Sequence, residues 1–543
     1  MNIFRNLPTT LIMFCSIASL ALFIQPFHVD AAQQKSNVPA PQVVGQHDKQ
    51  AVTGKGGNGN DEIPGEWYVG ATPPNLIEDA PVLLFIPGLN NTAQVWWENN
   101  NMYETAYEAG YLTAFVQLFD AGGASADMWD NGRLLAEKIQ EISTYFAGKE
   151  IVIVAYSKGG VDTQTALTYY GASDIVADVI TLSSPHHGSQ LADLAYSYWA
   201  GWLAELIGMR GDGTYVMETG YMEHFRSITD DKPDAYANDY FTFGGVDWGP
   251  PFSGTWFGGI YLSRYGDNDG VVTAASSNLP GGQEVAICDW NHVSIRTGIM
   301  FSEIENVLND KIDSDKMKMK RQLTPKDDRK NVPQMNQTVL GGALDQNSSN
   351  QIRFSVEDQV EQVTLNLLTA DDMSQIRLLD ANGKPVTPNI TSHTDEHVFF
   401  PGAIQNTITI DRPVVGEWTL DLEVDKDSAY LLVVDYEVDR KTELMKKTAE
   451  KAKLTAENQF HYQLEALPNQ VQEHTLEATY YVQMSGKPEK TKIYNVERSA
   501  NLSQQISFEQ TNEVYTITVD VKGKTKAGAD FERTIIDSIY IGE

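Results

Sequence analysis

The sequence predicts an α/β domain, a mostly parallel sheet with helices on both faces, followed by two all-β sandwich-like modules. Three observations predict it. Short apolar, β-branched runs alternate with amphipathic helical stretches through the first half of the chain; a basic stretch with little periodicity follows about Asp310; and beyond it strand-like alternation of apolar and polar residues takes over.

A chain of 543 residues is too long for one ordinary core; about three domains are expected at this length. Its start reads as an export signal spanning residues 1–31: Arg5, an apolar run from Leu11 to Ile24, then the small residues Ala31 and Ala32. That run of about 14 residues falls short of the roughly 20 needed for a helix to cross a bilayer. Cys15 follows Phe14 rather than a small residue, which argues against lipid attachment. The chain is therefore expected to be secreted, with association to the cell surface left open. Of its 2 cysteines only Cys288 survives such cleavage, so no intramolecular disulfide is expected and stability has to come from packed cores. The net charge of -33 repels polyanions, which excludes nucleic acid as a partner and leaves only apolar contact with lipid.

Residues 32–62 are rich in Gln, Asn, Gly and Pro and lack large apolar side chains, as in a flexible leader. The Gly-rich run Gly54 to Asn60 has no strand before it and reads as linker, not a phosphate loop. The α/β domain is expected over residues 63–312. Pro81 to Ile86 is a buried strand, Thr92 to Ala109 a helical stretch stopped by Gly110, and Tyr111 to Phe119 a second strand. Asp127 caps a helix with Leu134, Leu135, Ile139, Ile142 and Phe146 on one face, ended by Gly148. Strand Ile151 to Ala155, helix Lys158 to Tyr170 and strand Val176 to Leu182 follow, with a later strand at Tyr240 to Gly245. Such runs, each followed by a helix, indicate a parallel sheet covered on both faces.

Lysines and arginines from Lys311 to Lys330 mark a basic linker over 313–335, either a solvated spacer or a protease-sensitive or wall-binding tether. A β-sandwich module over 336–440 rests on alternation at Ile352, Phe354 and Val356 and at Trp418, Leu420 and Leu422, with a turn at Asn382-Gly383. The Lys/Glu-rich segment Arg440 to Asn458 reads as helical or linking. Alternation then resumes, giving a second, Ig-like module over 441–543.

The chemistry starts at Val154-Ala155-Tyr156-Ser157-Lys158-Gly159-Gly160, where a buried strand gives way to a helix. A serine hydroxyl is a weak nucleophile; a tight strand-to-helix turn lifts it toward a base, and small flanking residues let the backbones approach. The run resembles the nucleophile elbow of the α/β-hydrolase fold, with Ala155 at the first glycine, as in small secreted Bacillus lipases. In that fold the loop after an early strand and the residue after the serine supply the two oxyanion-hole amides. Phe85-Ile86-Pro87-Gly88-Leu89-Asn90-Asn91 is that loop, so the amides of Leu89 and Lys158 are the candidates. Pro87 departs from the family, which carries His there. The fold places acid and histidine after the serine, in that order. Of the 10 histidines, His292 in Trp290-Asn291-His292-Val293 meets that order and precedes the basic stretch. His186 and His187, in Ser184-Pro185-His186-His187-Gly188-Ser189, precede any acid and are expected to shape the pocket.

With that segment and Gly266-Asp267-Asn268-Asp269-Gly270-Val271-Val272, residues of about 65 to 310 resemble the secreted bacterial triacylglycerol lipases and carboxylesterases. The resemblance implies that the Asp directly before Gly is the acid, making Asp269 first choice and Asp267 second. It implies a triad of Ser157, Asp269 and His292, an acyl-enzyme, and no cofactor. The Asp-rich loop lacks the regular oxygen ligands of a full calcium site, and Ser294 stands where calcium-binding lipases carry Asp, so no metal is carried over.

Between these motifs, Leu191 to Met209 is rich in aromatic and aliphatic residues, among them Tyr198, Trp199, Trp202 and Leu206. An amphipathic helix here serves either as a lid contacting a lipid interface or as a core-packing cap. The expected function is hydrolysis of carboxylic esters, of lipid or acylglycerol type. Its alternatives are a short-chain carboxylesterase, and a non-catalytic surface or adhesion protein with a relic hydrolase domain. The β modules are expected to bind a surface polymer or another protein.

Overall fold

The computed structural model describes residues 38–45, 62–122, 125–251, 253–309, 335–387, 390–394, 400, 402–438, 444–447, 459–467 and 469–542. The expected signal peptide, most of the leader and the basic linker up to residue 334 lie outside them.

Eight strands form the first sheet: β1 (Gln42–Gly45), β2 (Trp67–Val69), β3 (Val82–Ile86), β4 (Thr113–Val116), β5 (Ile151–Tyr156), β6 (Val176–Leu182), β7 (Asp239–Gly245) and β8 (Gln283–Cys288). Their order is β1-β2-β4-β3-β5-β6-β7-β8; β1, β2 and β4 pair antiparallel and every pairing from β4 through β8 is parallel. The period of two along a strand divides its side chains between two cores. On β3, Leu83 and Phe85 join Phe115, Phe301 and Ile304, whereas Val82, Leu84 and Ile86 join Leu135, Ile139 and Ile142. Helices supply the other half of each core: α1 (Met102–Glu108) and α9 (Phe301–Leu308) on one face, α2 (Met128–Tyr145) and α3 (Lys158–Tyr169) on the opposite one. The Asp127 carboxylate accepts from the amides of Trp129 and Asp130 at 2.9 and 2.8 Å, capping α2 as its sequence predicts.

Near the start of this domain two expectations change. Part of the leader is an edge strand, β1, paired with β2. An edge strand needs only backbone partners, and Val43 and Val44 stay exposed, so no core-forming pattern marks it. Thr92 to Ala109 is not one helix but a short 3-10 turn, Ala93–Trp96, followed by α1. Asn99 takes a positive φ of 52°, and the Asn100 side chain bonds both Val95 O and the amide of Met102 at 2.8 Å. These local bonds compete with helix continuation.

The C-terminal half is all antiparallel sheet. Between Gln337 and Val438 a five-stranded and a four-stranded sheet enclose Phe354, Leu365, Leu367, Trp418 and Val434. From Met445 to Ile541 a four-stranded sheet and two strand pairs enclose Tyr462, Tyr480, Ile517, Val519 and Phe531. The described part of the segment expected to be helical or linking, Met445–Lys447, is a strand paired with Leu464–Ala466.

These modules pack on the helices between β6 and β8: α4 (Gln190–Tyr196), α5 (Gly201–Leu206), α6 (Asp212–Tyr215), α7 (Thr219–Thr229) and α8 (Gly254–Ser263). One apolar cluster joins Leu191, Leu194, Leu203 and Phe257 to Val339, Leu431, Val433 and Ile536. Closeness is built in: a Cβ on Gly341 would lie 2.2 Å from Trp199 O, and one on Gly220 2.6 Å from Ile539 N. Polar groups are matched across the contact. Glu218 accepts from Ser485 and Thr516 at 2.9 and 3.0 Å, Asp193 accepts from Ser538 at 2.7 Å, and the Trp199 indole donates to Asp520 at 2.9 Å.

Glu218 and Asp193 are fully buried. Burial pushes the Asp193 carboxyl up to about 6, against its bonds from Ser538 and Thr219 and with Asp537 adding to the rise. Burial likewise lifts Glu218 well above the usual carboxylate range, helped by Asp193 and opposed by Ser485, Thr516 and Arg210. Undocked, both return toward the ordinary value near 4. The docked state then holds more protons, so its stabilisation is complete below about pH 4 and is lost as pH rises through about 6 and beyond. Hydrogen exchange in the strands Glu477–Met484 and Glu513–Lys524 is expected to accelerate between pH 5 and pH 8, after correction for intrinsic exchange. The Asp193→Asn, Glu218→Gln double variant is expected to flatten that dependence.

Candidate active site

Ser157 ends β5 and precedes α3 with φ 53° and ψ −133°, a conformation L-residues rarely adopt. Its neighbours show why the flanking positions are small. A Cβ on Gly88 would lie 2.8 Å from Ser157 Cβ, one on Gly159 2.3 Å from Pro87 O, and one on Gly160 2.1 Å from Ser184 Oγ. The strained turn is held between the end of β3 and the end of β6, and no side chain fits in either gap.

The two residues expected to act with Ser157 meet it in space. His292 Nε2 lies 3.1 Å from Ser157 Oγ, and His292 Nδ1 lies 2.7 Å from Asp269 Oδ2. Asp269 is fully buried, while Ser157 and His292 are just short of it. With Asp269 an acceptor at Nδ1, the imidazole proton belongs there and the Nε2 lone pair faces the serine. Asp269 is itself fixed: its Oδ1 accepts from the amides of Val271 and Val272 at 2.9 and 2.7 Å, and its carbonyl accepts from the amide of His292 at 2.9 Å. Gly270, at φ 93° and with a would-be Cβ 2.4 Å from Thr255 O, allows the turn that aims those amides. Asp267, the second choice, is exposed, and it is Asp269 that bonds His292.

Leu89 lies in the loop that Gly88 presses against Ser157. The Gly88 carbonyl accepts from the amide of Asn91 at 3.2 Å, and the Leu89 carbonyl accepts from Asn91 Nδ2 at 2.8 Å. Arg296 donates to Asn91 Oδ1 at 3.1 Å and lies over the Tyr156 ring. Lys158 opens α3 with its side chain turned inward and buried. Both amides expected to form the oxyanion hole thus flank Ser157, on separate stretches of chain.

His186 is fully buried, with Nε2 3.3 Å from Thr181 Oγ1, and burial lowers its pKa well below the ordinary histidine value. It stays neutral and makes no bond to the serine. The Leu191 to Met209 segment is two short helices, α4 and α5, rather than one. The amide and the hydroxyl of Ser197 both bond Leu194 O, and Tyr198 is drawn out of the helix onto the β module, its amide donating to Thr518 Oγ1 at 3.1 Å and its ring stacked on Tyr481 at 3.9 Å.

Sequence reasoning did not find the charged cluster behind the site, in which Lys158 Nζ meets Asp162 at 2.9 Å and Asp120 at 3.6 Å. The i,i+4 spacing of Lys158 and Asp162 on a helix was the available signal; Asp120 had none.

No family model and no curated protein sequence matches the chain. Among solved structures, the Bacillus licheniformis lipase BlEst2 in its propeptide form is 30% identical, covers 89% of this chain and 98% of its own, and superposes with a TM-score of 0.71. The chain belongs to the family of that lipase. The mature form of the same lipase is 42% identical over 46% of this chain and 99% of its own, with a TM-score of 0.43. Membership in this lipase family agrees with the α/β-hydrolase order of strands and helices described above.

Gly159 and Gly160 of the elbow are under the same packing constraint. Gly160→Ala is therefore expected to lower stability by about 1–3 kcal/mol, the usual cost of overpacking, and to displace Ser157. A lowered midpoint of thermal unfolding, with a matching loss of esterase turnover, checks this.

Proposed function

We propose that the protein is a secreted serine ester hydrolase that cleaves carboxylic esters, of lipid or acylglycerol type, through an acyl-enzyme on Ser157. The observation that carries this reading is the continuous hydrogen-bonded chain from Ser157 through His292 to Asp269. His292 takes the serine proton at Nε2 as Oγ attacks the ester carbonyl. Asp269 holds the ring and stabilises its cation without taking the proton. The amides of Leu89 and Lys158 receive the oxyanion. His292 then gives the proton to the leaving alcohol, and water, deprotonated by the same ring, releases the acid.

The preference for lipid esters rests on α5. Trp202 and Leu206, one turn apart, are 61% and 56% exposed while Leu203 between them is buried. An exposed apolar pair on the outer face of this helix suits contact with a lipid interface. A short-chain carboxylesterase is the competing reading, favoured by the same helix being pinned on its inner side. Hydrolysis rates over p-nitrophenyl esters from acetate to palmitate separate the two: rates rising toward long chains and above the solubility limit are expected, and activity confined to acetate and butyrate removes the lipid preference. Ser157→Ala, His292→Ala and Asp269→Asn are each expected to lower kcat by about 10³-fold or more, with KM little changed.

The β modules take the role of a propeptide, a reading supported by the relative having been solved in a propeptide form. They cover the inner faces of α4 and α5 through Val339, Leu431 and Ile536, and the Lys/Arg-rich residues 313–335 offer sites to a trypsin-like protease. Export by residues 1–31 puts the chain where such a protease acts. Limited trypsin digestion of the full chain is expected to cut first within residues 313–335 and, on release of the modules, to raise long-chain esterase activity; a first cut inside the sheet domain, or unchanged activity, contradicts this role.

A further inference from the structure

The two amides proposed for the oxyanion hole belong to different segments, the loop after β3 and the first turn of α3, and their separation has to be fixed by something other than chain connectivity. One buried cluster joins both. Lys158 Nζ, on a side chain only 1% exposed, lies 2.9 and 3.0 Å from the two oxygens of Asp162 and 3.6 Å from Asp120 Oδ2. Asn131 of α2 donates to Asp120 Oδ2 at 2.6 Å and to Asp162 Oδ2 at 3.0 Å, and its own carbonyl accepts from the amide of Phe119 at 3.1 Å. The other oxygen of Asp120 accepts from the amide of Asn90 at 3.2 Å.

That last bond is the informative one. Asn90 follows Leu89 directly and sits at φ 55°, in the left-handed region that Asn adopts more readily than most residues. The peptide between Leu89 and Asn90 is held from both ends, its carbonyl by Asn91 Nδ2 and its N–H by Asp120. We propose that Asp120 is a positioning residue for ester hydrolysis, which through the Asn90 amide on one side and the Lys158 ammonium on the other fixes the two oxyanion donors relative to Ser157. This rests on the reading of Ser157 as nucleophile. Asp120 touches neither the serine nor the histidine, and acts through the residues it holds.

The cluster is built for rigidity rather than proton transfer. Three ionisable groups with two negative members and one positive are buried within a few ångströms. Burial opposes the charge on Lys158, but Asp120 and Asp162 outweigh it and its pKa is raised, so the ammonium persists. Burial pushes the Asp162 carboxyl up, against the pull of Lys158 and with Asp120 adding to the rise. Removing one partner from such a group leaves charges unmatched, so the test uses the isosteric change first.

In the full-length chain, Asp120→Asn keeps size and an acceptor oxygen but weakens the link to Lys158, and Asp120→Ala removes both links. Expected are kcat losses of about 10-fold and about 100-fold respectively, at or below the roughly 10²–10³-fold seen when an oxyanion donor is removed outright, with KM changed less than about twofold. Affinity for a trifluoromethyl ketone, which forms the oxyanion on the serine, is expected to fall by the same factors as kcat. Affinity for an uncharged ester analogue that cannot be attacked is expected to hold, a split that a general loss of structure does not produce. Should Asp120→Ala fail to fold, Asn131→Ala, which removes one hydrogen bond to the Asp120 carboxylate while retaining all three charges, is expected to give the same split at a smaller amplitude. Variants that fold and keep kcat and trifluoromethyl ketone affinity within about twofold of the parent overturn the proposal. If instead the parent chain itself gives no fluorophosphonate adduct at Ser157, the failure belongs to the nucleophile reading, not to Asp120.

Discussion

The strained turn at Ser157 is the constraint around which the rest of the α/β domain is arranged. A non-glycine residue at φ 53° costs on the order of 1–3 kcal/mol and persists only where its surroundings over-determine it. Here they do so by exclusion. Gly88, Gly159 and Gly160 bring the ends of β3, β5 and β6 so close that no Cβ fits between them, and the two cores that clasp the sheet hold those ends in place. The serine hydroxyl is thereby lifted to the imidazole of His292, which arrives from the loop after β8 and is aimed by Asp269 from the loop before it. Three chain segments distant in sequence converge because a parallel sheet gathers the C-terminal ends of its strands on one edge.

Around this centre the molecule uses charge in two opposite ways. Behind the elbow, Lys158, Asp120, Asp162 and Asn131 form a closed and mutually satisfied cluster that rigidifies. At the contact with the β modules, Glu218 and Asp193 are buried with hydroxyl partners from the modules, so their neutral forms are favoured and the contact carries a proton dependence. The first arrangement ties the segments of the elbow together; the second makes docking of the modules answer to pH. The same modules cover the inner face of the helix whose outer face exposes Trp202 and Leu206.

Much of this was legible in the sequence. The strand-helix alternation and the small residues of the elbow follow from local patterns, because parallel strands buried on both faces read as apolar runs and a tight turn demands small residues, whereas the order Ser157, Asp269, His292 was implied by the resemblance to the α/β-hydrolase fold. The choice of Asp269 over Asp267 came from family resemblance, and the structure brings Asp269 to His292 and leaves Asp267 exposed. What was not legible depended on tertiary partners. β1 is an edge strand defined by its neighbour, with its valines exposed. The helix expected over Leu191 to Met209 breaks because Tyr198 and Trp199 find Tyr481, Thr518 and Asp520 more than 280 residues away. Asp120 carries no pattern of its own; its place appears only once the loop after β3 and the start of α3 are seen side by side.

The central claim is that Ser157 carries the acyl group. Mixing the protein with a p-nitrophenyl ester, quenching in acid within the first turnovers and mapping the digest by mass spectrometry tests it directly. One acyl adduct is expected, on the peptide bearing Ser157, formed at the rate of the p-nitrophenol burst. Continued turnover with no adduct there, or with the acyl group on another residue, would contradict it.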